Sequence, residues 1–144
     1  MIEIAVVGIG GWGKNLARNY FQIPEANLRY VCDLDDAKLA AAESQYPGTR
    51  TTRDFDEMIK DDALDAVVIA TTAPSHFALA KKALLARKDV YIEKPFVLEI
   101  AEAEELIELA DSLDRILMVG HLLEYHPVVL SLKKLIKDGD LGKI

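Results

Sequence analysis

Two hydrophobic rhythms alternate along the chain. Predominantly apolar runs occupy residues 2–8, 28–33, 65–70, 90–93 and 115–120, and a short threonine-rich strand is read over 49–52. Most lack the in–out alternation of a half-solvated strand, so they are read as strands covered on both faces. Between them, apolar positions recur at helical spacing. Residues 11–21 place Leu16, Ala17 and Tyr20 on one face, and Pro24 prevents the helix from continuing. Residues 35–46 form an Ala- and Leu-rich helix with Asp35 or Asp36 well placed at its start. Pro47-Gly48 is a turn, and Asp54 is positioned to cap a short helix over 55–59. Pro74 falls in the first turn of a helix running to about Arg87, with Thr72 as its N-cap. A long helix over 99–113 carries Ala101, Leu106, Leu109, Ala110 and Leu113, and a last one over 127–138 carries Val128, Val129, Leu132, Leu135 and Ile136. Six strands with helices between them predict an α/β fold, a doubly wound parallel sheet.

Ligands of such sheets settle in the crevice at the carboxyl ends of the strands. At the end of the first strand stands Gly8-Ile9-Gly10-Gly11-Trp12-Gly13, which is G-x-G-x-x-G between a strand and a helix. The first glycine permits a tight turn. The second lets the backbone approach a pyrophosphate, and the third lets helix and strand pack closely. The helix N-terminus adds unpaired N–H groups and a positive dipole end. Asp33 closes the second strand about 20 residues beyond Gly13, where a carboxylate accepts hydrogen bonds from an adenosine ribose. A glycine string alone would mean only a flexible turn. With the strand before it, the helix after it and the acid at that distance, it predicts a dinucleotide site in a Rossmann fold.

The other strand ends carry further candidates. Glu93-Lys94-Pro95 follows the fifth strand. Pro95 restricts Lys94 to extended backbone, and the bond between them is a candidate for the cis form. A lysine held in a cleft loses hydration, which suits its amine to acid–base work on a substrate hydroxyl. The competing reading is a solvated turn with a local ion pair. Thr71, Thr72 and His76 follow the fourth strand, where small hydroxyl residues at a helix start could line a ribose. His121 follows the sixth strand and is a cleft candidate, whereas His126 before Pro127 is given a structural role. The three histidines lack ligand spacing, so no metal is expected.

Length and charge narrow the partners. The chain has 144 residues, 51% of them hydrophobic, which suits one compact domain. A net charge of −7 and a pI near 4.9 exclude nucleic acid or an anionic membrane as the main partner. Cys32 is the sole cysteine, so no internal disulfide forms, and its place in an apolar strand reads as a buried inert thiol. No basic leader precedes the first strand and no apolar run approaches a membrane span, so the cytoplasm is the expected location.

The stretches VVGIGGWGKN (6–15), TTAPSH (71–76), KDVYIEKPF (88–96) and GDLGKI (139–144) together make the chain resemble the Gfo/Idh/MocA family of oxidoreductases over essentially its whole length. Residues 119–127, VGHLLEYHP, look like the subgroup that oxidises the 3-hydroxyl of UDP-N-acetylglucosamine-type sugars. The resemblance implies that Lys94 contacts the sugar hydroxyl and the nicotinamide region and aids proton transfer. It also implies that Glu93, Thr71, Thr72 and His76 line the cofactor cleft and that Trp12 joins the loop of Gly8, Gly10, Gly11 and Gly13 at the pyrophosphate. Asp33 implies NAD rather than NADP. Asp35 and Asp36 would repel a 2′-phosphate, and no arginine follows Asp33 directly. Two departures stand out. Relatives often carry Gly where this chain has Arg87, and Arg where it has Glu124, so Glu124 receives no role.

In that family a second, α+β domain supplies much of the sugar pocket, a further catalytic residue and the oligomer interface. The expectation is therefore a dinucleotide-binding domain over 1–125, followed over 126–144 by a connecting helix and the start of that second domain. The implied activity is hydride transfer between a sugar or nucleotide-sugar hydroxyl carbon and nicotinamide, with this chain inactive alone and the full-length protein a homo-oligomer. The alternatives are a non-catalytic dinucleotide-sensing module and an NAD-dependent glycoside-cleaving relative.

Overall fold

Strand β1 (Ile2–Val7) divides the interior in two, because its successive side chains point to opposite sides of the sheet. The structure, a computed structural model, describes residues 1–142. In chain order the elements after β1 are α1 (Gly13–Gln22), β2 (Ala26–Cys32), α2 (Asp36–Gln45), β3 (Arg50–Thr52), α3 (Phe55–Met58) and β4 (Ala66–Ile69). Then come α4 (His76–Leu85), β5 (Asp89–Ile92), α5 (Ile100–Leu113), β6 (Leu117–Val119) and α6 (Pro127–Asp138). Among the described residues, all strands join one six-stranded sheet of order β3-β2-β1-β4-β5-β6, and every pairing is parallel. This is the expected doubly wound sheet, with the strand order reversing between β1 and β4.

On one face Ile4, Val6, Leu28 and Val31 pack against Ala17 of α1 and Leu39 and Ala42 of α2. On the other, Val7, Val67, Ile69 and Ile92 pack against Ala80 and Leu84 of α4 and Leu106 of α5. Each large side chain so buried contributes about 1.5–3 kcal/mol of transfer free energy. Burial on both faces explains why the strands read as continuous apolar runs.

Local chemistry sets the helix ends. The Asp35 carboxylate accepts the Ala37 and Lys38 N–H groups at the start of α2, and Asp54 accepts the Glu57 N–H at α3. Thr72 does not cap the fourth helix as expected. A single 3₁₀ turn, Ala73–Ser75, precedes α4, and the Ser75 hydroxyl donates to the Thr72 carbonyl at 2.8 Å. Helix α4 stops at Leu85, short of the expected end, because Arg87 lies in the left-handed region at φ 62°. That conformation favours glycine; Arg87 offsets part of the strain by donating to the Leu113 carbonyl at 3.1 Å. Helix α6 runs as expected, but its apolar residues Val128, Leu132, Leu135 and Ile136 are all exposed. No helix among the described residues is long and apolar enough to cross a membrane.

A polar network sits halfway along β2. Arg29 Nε donates to Asp61 Oδ2 at 2.8 Å, the Tyr30 hydroxyl to the same oxygen at 2.9 Å, and Arg29 also reaches Glu3 at 3.2 Å. The Arg29 bond above all, then those from Tyr30 and the Ala63 amide, holds the Asp61 carboxyl well below its ordinary 3.8. The folded chain therefore binds fewer protons than the unfolded one, and stability rises with pH through this window. The contribution is complete above that ordinary value and is lost as pH falls toward the depressed one. Asp61→Asn is expected to flatten the acid limb of denaturant melts below about pH 4. An acid limb as steep as the parent's would remove Asp61 from this role.

Candidate functional site

Two cavities open at the carboxyl ends of the strands. The larger, about 660 Å³, is lined by Gly8, Gly10, Gly11, Trp12, Asp33, Thr71 and Thr72, that is, by the ends of β1, β2 and β4. Its size is that of a small-molecule site. Its floor is built by close backbone approach. Gly8 has φ 83°, and a Cβ on Gly13 would lie 1.8 Å from the Gly8 carbonyl oxygen, so α1 meets β1 only because Gly13 has no side chain. Gly13 itself lies behind the cavity. A Cβ on Gly10 or Gly11 would meet no protein atom within 4 Å, and neither has a positive φ. Neither backbone angle nor packing therefore requires glycine at these two positions. No side chain caps α1; the Lys14 and Asn15 N–H groups turn back to the Gly10 and Trp12 carbonyls, at 3.4 and 2.8 Å, so what the helix start offers an anion is its positive dipole end.

Asp33 joins two loops. Its Oδ2 accepts the Ile9 N–H at 2.8 Å and its Oδ1 the Asp35 N–H at 3.0 Å, so the carboxylate is fixed beside the glycine loop. Sequence reading missed two cations here. Lys38 and Arg53 both line this cavity; Lys38 lies 3.5 Å from Asp33, and Arg53 pairs with Asp36 at 2.9 Å. Asp35 meanwhile faces the α2 amides. The repulsion expected from Asp35 and Asp36 is thus partly neutralised, and of the three acids only Asp33 lines the cavity. The signal for Arg53 was its place just past β3, the neighbour of β2. Cys32 also borders the cavity, but burial above all, with Asp33 and Asp54 nearby, pushes its thiol up to about 11, as an inert thiol requires.

Other predicted site residues fall elsewhere. His76 does not line the cavity. Its ring is 1% exposed and packs beneath it, with Nδ1 2.9 Å from the Pro95 carbonyl and Nε2 3.1 Å from the Thr71 carbonyl. It braces the loop after β4 against the segment after β5. Glu93 is also buried, at 6% exposure, and meets the glycine loop only through the Trp12 indole N–H at 2.7 Å. Lys94 and His121 line the second cavity, about 610 Å³, with Gly120, Leu122, Leu123 and Glu124. The Lys94–Pro95 bond is cis. The Lys94 side chain is exposed, so the loss of hydration expected for it is not found among the described residues. His126 caps α6 through Nδ1, the structural role expected of it. No group of His, Cys, Asp and Glu able to hold a metal occurs among the described residues.

The sequence model of the oxidoreductase family, NAD-binding Rossmann fold (Gfo/Idh/MocA), matches residues 2–121. The chain belongs to the Gfo/Idh/MocA family. This Gfo/Idh/MocA domain is 33% identical over 143 residues to inositol 2-dehydrogenase of Rubrobacter xylanophilus, covering 98% of the chain and 41% of the relative. Among solved structures, scyllo-inositol dehydrogenase from Lactobacillus casei, with bound cofactor NAD(H) and scyllo-inositol, superposes with TM-score 0.91 at 28% identity, over 100% of this chain and 43% of that one. UDP-N-acetylglucosamine 3-dehydrogenase from Acidithiobacillus ferrooxidans follows at TM-score 0.83 and 31% identity, over 92% and 42%. Inositol dehydrogenases recur among the relatives. The chain spans about two-fifths of the length of the curated relatives it matches.

Proposed function

We propose that this NAD-binding domain serves a dehydrogenase of sugars or cyclic polyols, with the dinucleotide in the larger cavity and the substrate hydroxyl beside Lys94 in the smaller. The observation that carries the reading is the open space at Gly10 and Gly11, which neither backbone angle nor packing explains. The Gly10–Trp12 backbone and the start of α1 would hold the pyrophosphate, Asp33 the adenosine ribose, and Thr71 and Thr72 the second ribose. Bound NAD supplies the hydride acceptor. The chain's own part is to hold and orient the two and to move a proton. Lys94 stands in the second cavity with His121, where its amine would exchange a proton with the substrate hydroxyl. Similarity to inositol dehydrogenases favours a polyol ring; similarity to the UDP-N-acetylglucosamine enzyme keeps nucleotide sugars within the class.

Calorimetric titration of the chain with NAD tests the reading, and Gly10→Ala sharpens it. Its methyl group meets only open space, so stability should stay within about 0.5 kcal/mol of the parent. NAD affinity should fall about tenfold or more, because the methyl group occupies the diphosphate's approach. Unchanged affinity in this variant, or no heat with the parent at millimolar NAD, would refute the assignment.

A further inference from the structure

We propose that Trp12 is a positioning residue that links occupation of the dinucleotide loop to the placement of Lys94, acting through the buried carboxylate of Glu93. The proposal rests on the dinucleotide reading above, since an occupant of the loop is what would press on the indole. Trp12 is the N-cap of α1, and the residue is 49% exposed at the wall of the larger cavity. Its indole nitrogen nevertheless donates inward, to Glu93 Oε1 at 2.7 Å, across 81 positions of sequence.

Glu93 is enclosed on every side that could let it drift. The Tyr91 hydroxyl donates to the same Oε1 at 2.9 Å, and the backbone N–H of Lys94 donates to Oε2 at 3.2 Å. Tyr91 and Glu93 are two apart in an extended segment and so face the same side of the sheet. Burial first, then the Glu93 carboxylate, raises the Tyr91 phenol far above its ordinary range, so it remains a donor. Gly120, just after β6, closes the remaining side: a Cβ there would lie 2.5 Å from the Tyr91 oxygen and 3.1 and 3.2 Å from the two carboxylate oxygens. A buried carboxylate that loses a donor bears the full desolvation cost, so it follows its donors. The indole holds one oxygen and the Lys94 amide the other. Movement of the glycine loop is therefore passed through one rigid planar group to the backbone of Lys94, whose side chain borders the second cavity. The two cavities communicate through this contact.

Trp12 is the only tryptophan, so its indole N–H gives a single resonance in the ¹⁵N-labelled chain. Without ligand, Glu93→Gln is expected to shift that resonance upfield, because a neutral amide oxygen replaces a charge-assisted acceptor. An unmoved resonance means that the bond does not exist in solution, and the proposal falls whatever NAD does. On NAD titration of the parent, the indole, the Lys94 amide and the Gly10 and Gly11 amides are expected to shift together. In Trp12→Phe the glycine amides still respond and the Lys94 response falls to a small fraction. A full Lys94 response in Trp12→Phe overturns the link alone. Absence of any NAD-induced shift in the parent, glycine amides included, overturns the dinucleotide reading and the link with it. Should Trp12→Phe fail to fold, Glu93→Gln decides on the same criterion, a Lys94 response lost while the glycine response persists.

Discussion

Gly13→Ala is expected to lower the melting temperature by about 10 °C, and NAD binding is expected to weaken with it. The added methyl carbon would lie 1.8 Å from the Gly8 carbonyl oxygen and 2.9 Å from its carbon, both backbone atoms that no rotamer change can move. Alanine in a helix normally gains about 1 kcal/mol over glycine. Here the clash outweighs that gain, because α1 and β1 must separate and the Ala17 contacts beneath the helix open with them. Overpacking of well-packed sites costs about 1–3 kcal/mol and occasionally more, and a collision between two main chains lies at the upper end. Differential scanning calorimetry reads the loss directly. A melt unchanged from the parent would mean that helix and strand are farther apart than described. The contrast with Gly10→Ala is diagnostic, since that substitution is expected to spare the fold and affect only the ligand.

Asp33→Ala is expected to weaken NAD by about 10- to 100-fold and to raise the NADP-to-NAD affinity ratio by about 100-fold or more. Hydrogen bonds to a charged acceptor are worth about 1.5–3 kcal/mol, and each 1.4 kcal/mol is tenfold in affinity. The second effect is larger because it reverses a repulsion. A 2′-phosphate near 4 Å from a carboxylate meets about 4 kcal/mol per pair of unit charges at an effective dielectric constant near 20. With Asp33 gone, Lys38 loses its partner at 3.5 Å and keeps Asp35 at 3.8 Å, and Lys38 and Arg53 both border the cavity. Part of the loss is structural, because the Ile9 N–H forfeits its acceptor. Parallel titrations with NAD and NADP separate the two. A ratio that stays at the parent's value would place the discrimination elsewhere in the cavity.

Much of this architecture is legible in the primary structure because period and burial are local properties. Runs such as 65–70 have no polar face, and only a sheet covered on both sides accommodates that. The glycine loop and Asp33 are legible because both sit where a strand must end. What escaped depends on neighbours distant along the chain. Nothing near Trp12 announces Glu93, and nothing near His76 announces the Pro95 carbonyl that holds its ring. Reading a histidine after a strand as a cleft residue assumes that it points outward; α4 begins at His76 itself and turns the ring under the loop. Lys38 and Arg53 escaped because helical spacing and strand position mark them as exposed, without showing that both border the same cavity as Asp33.

The Arg29–Asp61–Glu3 network sits halfway along β2, level with Ile4 and Ala5 of β1, whereas both cavities lie at the carboxyl rim of the sheet. Four residues of strand, about 13 Å, part Arg29 from Asp33, only a little more than the distance over which salt at physiological strength screens a charge. An engineer who rewrites that ionic stitching to harden the molecule against acid should therefore expect the ligand to feel a weak change in field, one that fades as salt is added.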